Sequence, residues 1–151
     1  MIRSKSPQKR RLQYAALPYR RNSKSALEVL LITSRETGRW IIPKGWPAKG
    51  KRPHRTAARE AREEAGVTGK IKRRPVGSFR YRKRLKSGRV VLCEVKVFAL
   101  KVTGQKARWV EKGERKLKWM PRAKAATTVK DAVLRTIIRS APKRAKPAPE
   151  K

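Results

Sequence analysis

The sequence predicts an α/β (α+β) domain with a mixed β-sheet sandwiched between helices. Apolar runs with strand character lie on both sides of one amphipathic helical segment, and a second helical pattern follows the last run. A chain of 151 residues suits a single domain. Helices placed between and after the strands are expected to cover both faces of one sheet.

The domain is assigned to residues 12–139. Residues 1–11 are expected to form a basic disordered arm, and residues 140–151 a disordered tail rich in Pro, Lys and Ala. Strand character begins at 12–19 and is stronger at 26–33, where the sequence is ALEVLLIT. These two strands are therefore expected to precede the first helix.

The first helix is predicted over 53–65. A polar break that holds Gly38 predicts a hairpin turn, and a loop rich in Pro and Gly follows at 43–50. Pro53 suits the first helical position and Gly66 suits a C-terminal stop.

The second half of the chain alternates between strands and turns and ends in a helix. The pattern predicts a strand at 67–71, a long hairpin with arms at 76–85 and 90–102, a polar loop at 103–113, a strand at 116–120 and one helical turn at 121–126. The final helix is expected to start at the capping-box-like Thr128-x-x-Asp131 and to bury Val133, Leu134, Ile137 and Ile138.

Basic residues dominate the composition, with 44 Lys and Arg against 10 Asp and Glu and a net charge of +34. This charge favours phosphate-rich partners, although solvation of the surface explains it equally well. No apolar stretch is long enough for a membrane span, and the basic N-terminus lacks the apolar segment of a secretion signal. We therefore expect a cytoplasmic protein without a membrane partner. The single cysteine, Cys93, lies in an apolar run and is expected to be a buried, inert thiol.

Three glutamates of the predicted helix, Glu60, Glu63 and Glu64, follow the i, i+3, i+4 spacing that places side chains on one helix face. Like charges this close destabilise an exposed helix by about 0.2–0.5 kcal/mol per pair. A hard divalent cation such as Mg²⁺ prefers oxygen ligands and would remove that penalty. The alternative is a salt-bridged surface in which Arg59 and Arg62, with other basic side chains, neutralise the glutamates. The Gly/Pro loop before the helix and the glycine directly after it favour the metal site.

The stretch from Gly45 to Val67 resembles the Nudix box, G-x5-E-x7-R-E-U-x-E-E-x-G-U, in which U is aliphatic. Gly45 matches the first glycine, Arg59-Glu60 and Glu63-Glu64 match the R-E and E-E pairs, and Gly66-Val67 match the closing G-U. Lys51 stands where the box has its first glutamate, which in the family helps to organise the loop and helix. The resemblance covers residues 12–138 and is nearest to the branch acting on diadenosine polyphosphates and diphosphoinositol polyphosphates.

The resemblance implies a Nudix fold and attack of water on a pyrophosphate bond, with Mg²⁺ as cofactor and Mn²⁺ as an alternative. It implies that the metal is bound by Glu60, Glu63 and Glu64 together with the backbone carbonyl of Gly45. Glu60 would also orient the nucleophile. Arg59 would hold the helix carboxylates and the loop in place rather than touch substrate.

Members of the family often draw the general base from outside the box, and the candidates in this chain are Glu111, Glu114 and Glu94. We favour Glu111, because a carboxylate on the loop before the late strand could reach the metal. Glu94 lies on a predicted strand, where the role of a cross-strand partner is simpler.

Arg20, Arg39 and Lys44 lie near the ends of strands that should flank the site. They are candidates to hold substrate phosphates, with surface solvation the default role for any one of them. His54 is the single histidine, and without His or Cys companions it is a poor transition-metal ligand. We expect His54 to be exposed.

These features predict a Mg²⁺-dependent Nudix pyrophosphohydrolase acting on a nucleoside diphosphate-linked or polyphosphate substrate. Dinucleoside polyphosphates and diphosphoinositol polyphosphates are the first candidates. The alternative is an RNA- or ribosome-associated Nudix-fold protein that acts on RNA 5′ ends or has weak catalysis, and it is favoured by the charge of +34 and by Lys51. The sequence is compatible with a monomer or a homodimer.

Overall fold

The computed structural model describes residues 10–141, which form one eight-stranded sheet and three helices. The strands are β1 (Arg10–Arg21), β2 (Leu27–Thr33), β3 (Trp40–Ile41), β4 (Lys44–Gly45), β5 (Val67–Ile71), β6 (Gly77–Arg84), β7 (Val90–Gln105) and β8 (Leu117–Pro121). The helices are α1 (Pro53–Ala65), α2 (Arg122–Thr128) and α3 (Ala132–Ser140). The sheet runs in the order β3-β2-β1-β7-β5, with β4 paired to β1, β6 to β7 and β8 to β2.

The centre of the sheet is the parallel pair of β1 and β7, which is in register from Arg10 opposite Leu92 to Tyr19 opposite Lys101. The other strand pairs within the described residues are antiparallel. Both central strands are buried on two faces over part of their length, as parallel strands usually are. The predicted mixed sheet sandwiched between helices is therefore confirmed.

Helix α1 covers one face of the sheet through a stripe of small residues. Ala57, Ala61 and Ala65 are fully buried. They pack against a cluster on the sheet formed by Tyr14, Ala16, Leu30, Ile32, Val67, Phe98 and Leu100. Because alanine side chains are short, the helix can lie close to the strands, and longer side chains on its flank reach the neighbouring loops.

Helices α2 and α3 cover the opposite face. Leu134, Ile137 and Ile138 of α3 are buried in the cluster that also contains Leu17, Leu31, Phe79, Val95 and Val97. Val133, expected on the same face, is 50% exposed. At about 100° per residue, it lies at the edge of the stripe that the three buried residues define. Cys93 is fully buried, as predicted.

The ends of the domain differ from the sequence prediction by a few residues. Strand β1 begins at Arg10, because its parallel register with β7 extends to that residue, so the boundary at residue 12 is wrong. At the other end α3 runs to Ser140, and Ala141 is buried. The rest of the predicted arm and tail, residues 1–9 and 142–151, lies outside the described residues. Between residues 10 and 141, no helix has both the length and the apolar character needed to cross a membrane.

Helix α3 is capped by Asp131, whose carboxylate accepts a hydrogen bond from the Leu134 N–H at 2.9 Å. The prediction that this helix starts at Thr128 is wrong. Thr128 ends α2 instead, and its hydroxyl donates to the Lys124 carbonyl at 2.7 Å. The extended conformation of Val129 separates the two helices.

Asp131→Ala is expected to lower the free energy of unfolding by about 1 kcal/mol, the typical cost of losing a helix N-cap. The matched control is Thr128→Ala, which removes a hydroxyl that caps no helix N-terminus and should change stability by less than about 0.5 kcal/mol. Urea denaturation followed by circular dichroism measures both variants. Equal losses in the two would contradict the assignment of the cap.

Candidate active site

Helix α1 ends next to the loop between β7 and β8, which carries part of the site. Pro53 occupies the first turn, and Gly66 ends the helix with a φ of 71° and donates its N–H to the Arg62 carbonyl at 3.0 Å. The Trp109 ring packs so closely over Gly66 that a Cβ at this position would overlap it. The positive φ and the ring both require glycine here. The predicted helix over 53–65 is confirmed.

The carboxylate of Glu60 packs against the backbone of Gly45 on β4. A Cβ at position 45 would overlap this carboxyl group, so only glycine allows the approach. Strand β4 is held in place by antiparallel pairing with β1, where Gly45 lies opposite Tyr14. The structure therefore brings together two of the predicted metal ligands, one from the loop before α1 and one from the helix itself.

Glu64 is buried, with only 7% of its side chain exposed. Its Oε1 accepts a hydrogen bond from the backbone N–H of Lys44 at 3.3 Å, and its Oε2 lies 3.6 Å from Nη2 of Arg115. Burial raises the pKa of Glu64 to about 8, with Arg115 opposing the shift and a hydrogen bond to Glu60 adding to it. Burial raises the pKa of Glu60 as well. The two neighbouring carboxyl groups therefore resist being ionised together.

Glu63 faces a different partner from the other two helix glutamates. Its Oε2 accepts a hydrogen bond from Nε of Arg59 at 2.7 Å, one helical turn earlier. Arg59 thus fixes one of the helix carboxylates, in line with the role that the family resemblance implies for it. Within residues 10–141, Arg62 forms no ion pair, so the salt-bridged alternative holds in part: Arg59 pairs with Glu63, and Arg115 pairs with Glu64.

The loop between β7 and β8 brings a fourth carboxylate to the helix. The backbone N–H of Glu111 donates to the Glu63 carbonyl at 2.9 Å. The Glu111 carboxylate accepts a hydrogen bond from Nε of Arg115 at 2.8 Å and lies 3.9 Å from Nη1 of Arg35. Loop and helix are further joined by the side chain of Gln105, which donates to backbone carbonyls at the end of α1. Glu111 is therefore fixed next to the helix glutamates.

Arg115 is a central residue of the site that the sequence analysis missed. Only 8% of its side chain is exposed, and it contacts both Glu111 and Glu64. Its Nη1 also donates to the Thr33 carbonyl at the end of β2, at 3.0 Å. Arg115 is one of 44 basic residues, and its position just before the late strand does not predict that its side chain is buried. The i, i+4 spacing from Glu111 was the one available signal.

The donor atoms at this end of α1 suit a hard divalent cation. They are the carboxylates of Glu60, Glu63, Glu64 and Glu111 and the backbone carbonyl of Gly45, all of them oxygens. In the described part of the chain no three acidic side chains converge as metal ligands would, and Glu63 and Glu111 are each bonded to an arginine. The raised pKa values of Glu60 and Glu64 show that ionising these buried carboxyl groups carries a cost that Arg115 does not fully offset. A cation would offset it, so the residues fit this ligand.

The other two candidates for the general base lie away from the helix glutamates. Glu94 on β7 pairs with Arg10 of β1 at 3.1 Å, which is the cross-strand role expected for it. Glu114 is 46% exposed at its side chain and accepts a hydrogen bond from Arg35 at 2.8 Å. Among the three candidates, only Glu111 has its backbone bonded to α1, and this position favours it.

The structure does not place Arg20 near the carboxylates. Arg20 lies toward the end of β1, where it pairs with Glu28 at 2.9 Å and stacks on the ring of Trp119 at 4.0 Å. Along β1 it is about 16 Å from Ala15, the residue opposite Lys44, at the usual rise of a strand. These contacts stabilise the sheet.

Of the other two candidates, Lys44 contacts the site through its backbone, and Arg39 makes no ion pair with the helix glutamates in the described structure. While the Lys44 N–H binds Glu64, the ammonium group lies 5.1 Å from the centre of the Tyr81 ring. Burial lowers the pKa of Lys44, and Glu64 partly offsets this shift. Arg39 is exposed in the turn between β2 and β3, and it is Arg35 of the same turn that contacts the loop before β8.

The prediction that His54 is exposed is wrong, since the residue is only 7% exposed. His54 lies in the first turn of α1 and lines a surface cavity together with Ile71 of β5. Its spacing of i, i+3, i+7 to Ala57 and Ala61 places it on the buried stripe of the helix. The helical spacing alone therefore predicts burial of this residue.

Comparisons with known proteins identify the family and the fold. The NUDIX domain model matches residues 9–140. Nudix hydrolase 12, mitochondrial, from Arabidopsis thaliana is 33% identical over 110 residues, 71% of this chain and 51% of that protein. The chain thus spans about half the length of the curated relatives it matches.

Solved structures share the fold at low sequence identity. The E. coli dihydroneopterin triphosphate pyrophosphohydrolase aligns with a TM-score of 0.67 at 19% identity, over 91% of this chain and 99% of that one. The C. elegans Ap4A hydrolase aligns with a TM-score of 0.61 at 19% identity, over 87% of this chain and 95% of that one. The domain model covers nearly every residue that the structure describes, including the four carboxylates gathered at α1. The chain belongs to the NUDIX domain family.

Proposed function

We propose that this protein hydrolyses a pyrophosphate linkage in a nucleotide-like or polyphosphate substrate, using a divalent cation held at the C-terminal half of α1. The observation that carries the proposal is the packing of Glu60 and Glu64 against β4, with Glu111 hydrogen-bonded to the same helix. The three helix glutamates of the box are retained, although Lys51 replaces its first glutamate, and this supports an active enzyme over a catalytically weak RNA-associated protein.

Glu60, Glu63 and Glu64 would hold the cation, with the Gly45 carbonyl as a further donor; Mg²⁺ is the first candidate and Mn²⁺ the second. The cation would neutralise the oxygens of the diphosphate as it is cleaved. Because Arg59 binds Glu63, it fixes the rotamer of one of these carboxylates.

Glu111 is proposed as the general base that takes the proton of the attacking water. Arg115 positions it, since the same guanidinium group contacts Glu111 and Glu64 and is anchored to the Thr33 carbonyl. Arg115 is therefore a positioning residue, acting through two carboxylates.

The substrate is proposed to be highly anionic, and dinucleoside polyphosphates and diphosphoinositol polyphosphates are the first compounds to test. A net charge of +34 attracts such ligands over distance. Lys44 contacts the carboxylates through its backbone N–H, whereas its ammonium group lies over Tyr81, which packs with the cluster under α2 and α3, so this side chain is not proposed as a phosphate ligand. One fold can carry many different activities, so the fold alone does not identify which of these compounds is the substrate.

Glu64→Gln is expected to lower Mg²⁺-dependent hydrolysis of diadenosine tetraphosphate or a diphosphoinositol polyphosphate by about 10²-fold or more, because it removes a charged ligand without changing side-chain size. Glu63→Gln should have a similar effect. Phosphate release at saturating Mg²⁺ measures both variants.

The matched control for these variants is Glu28→Gln, which also replaces a glutamate paired with an arginine, but far from α1. It should stay within about twofold of the wild-type rate, because such pairs contribute little to stability. Glu111→Gln should lower the rate while leaving Mg²⁺ affinity nearly unchanged, as expected for a base. Full activity in Glu63→Gln or Glu64→Gln would exclude the proposed site.

Stability without metal should depend on pH through Glu64. Its folded pKa of about 8 exceeds the usual 4.5, so the folded state binds the proton more tightly than the unfolded state. The resulting stabilisation is fully present below pH 4.5 and is lost as pH rises toward about 8. With EDTA present, the stability difference between wild type and Glu64→Gln should therefore fall across this window, because the glutamine imitates the protonated acid.

Urea denaturation of both proteins at several pH values measures this difference. Added Mg²⁺ should restore wild-type stability more strongly at pH 8 than at pH 5, since only the carboxylate form binds the cation. A difference that stays constant with pH, or an equal effect of Mg²⁺ on Glu64→Gln, would contradict the assignment.

A further inference from the structure

The opposite end of α1 carries a second cluster of charged residues. An open surface cavity of about 420 Å³ lies between the first turn of α1 and the end of β5. It is lined by Arg52, His54, Arg55, Ile71 and Arg73. From His54 to Glu64 the helix extends about 15 Å, so this cavity is separate from the carboxylates.

The first turn of α1 presents backbone N–H groups without a cap. Arg52, the N-cap residue, makes no side-chain hydrogen bond to the helix, and the first turn contains no acidic residue. Pro53 has no N–H, and the N–H groups of His54 and Arg55 have no acceptor among the described residues. Such N–H groups, together with the positive end of the helix dipole, attract anions.

The His54 side chain is an independent sign of a ligand. It is more than nine-tenths buried, it lines the cavity, and its imidazole has no hydrogen-bond partner within residues 10–141. Burial lowers its pKa, and the charges of Arg55, Arg73 and Arg52 lower it further. The ring makes no hydrogen bond to the described residues and borders the open cavity, so an anion bound there could accept a hydrogen bond from the imidazole.

The arginines around the cavity are also without acidic partners. Arg52, Arg55 and Arg73 appear in none of the ion pairs formed between residues 10 and 141. Lys51 precedes them at the position where the box has a glutamate, so the local charge is more positive than the family pattern implies. Guanidinium groups bind phosphate oxygens in pairs, and several of them in one cavity match a phosphate group well.

We propose that this cavity is a phosphate-binding site formed by the N-terminus of α1, His54, Arg55 and Arg73. It binds a phosphate group of a polyanion without help from the glutamates at the other end of the helix. The phosphate could belong to a small polyphosphate or to the backbone of an RNA strand. The chemistry of recognition is the same for both sources, and the test separates them.

Because His54 is the only histidine, its imidazole signals report the site directly in proton NMR spectra. The full chain is titrated in EDTA with tripolyphosphate in one series and with a short single-stranded RNA in another. Binding should shift the His54 signals saturably and raise the pKa of His54, because a nearby anion favours the imidazolium form. EDTA removes divalent cations, so this result does not depend on the proposed hydrolase activity.

The double variant Arg55→Gln/Arg73→Gln should weaken the binding of the better ligand by about tenfold or more, since charge-assisted hydrogen bonds are lost. Its matched control, Arg89→Gln/Arg139→Gln, removes the same charge from exposed positions with no ion pair in the described structure and should change the affinity by less than about twofold.

Tighter binding of tripolyphosphate identifies a small-ligand site, and tighter binding of RNA identifies a backbone site; either supports the proposal. Two results would overturn it. One is the absence of any saturable change at His54 with both ligands, which wild-type protein alone can reveal. The other is an equal loss of affinity in the two double variants, which would assign binding to general charge.

Discussion

The constraint on which the site depends is the burial of two adjacent carboxyl groups at the C-terminal half of α1. Glu60 lies against Gly45, Glu64 lies under the Lys44 backbone, and both have raised pKa values. They also lie toward the negative end of the helix dipole, which adds to the cost of ionising them. Arg115 offsets part of this charge. The proposed divalent cation would offset the remaining cost of ionising them.

The two ends of α1 therefore have opposite electrostatic character. The first turn offers free N–H groups, a buried imidazole and arginines, whereas the last turns offer carboxylates. In a chain with 44 basic and 10 acidic residues, such a grouping of glutamates is not explained by composition. One helix, held close to the sheet by its alanine stripe, thus carries the proposed anion site and the proposed cation site about 15 Å apart, from His54 to Glu64.

Local signals in the sequence were enough to predict the helix and its glutamates. Pro53 and Gly66 mark its ends because proline fits the first turn and glycine fits a positive φ. The roles of Arg115 and His54 were not predicted. Arg115 depends on a hydrogen bond to Thr33, which is distant in sequence, and one basic residue among many carries no mark of such a contact. His54 follows the spacing of the buried helix face, but a histidine is a polar residue and was therefore expected to be exposed.

The most direct test is calorimetric titration of the folded protein with Mg²⁺ or Mn²⁺ at pH 8, alone and with a non-hydrolysable diphosphate ligand. We expect saturable binding that is strengthened by the ligand and weakened strongly in Glu64→Gln, because that carboxylate is both a ligand and the group that resists ionisation. Absence of binding of either metal under both conditions, or equal binding to the variant, would contradict the account.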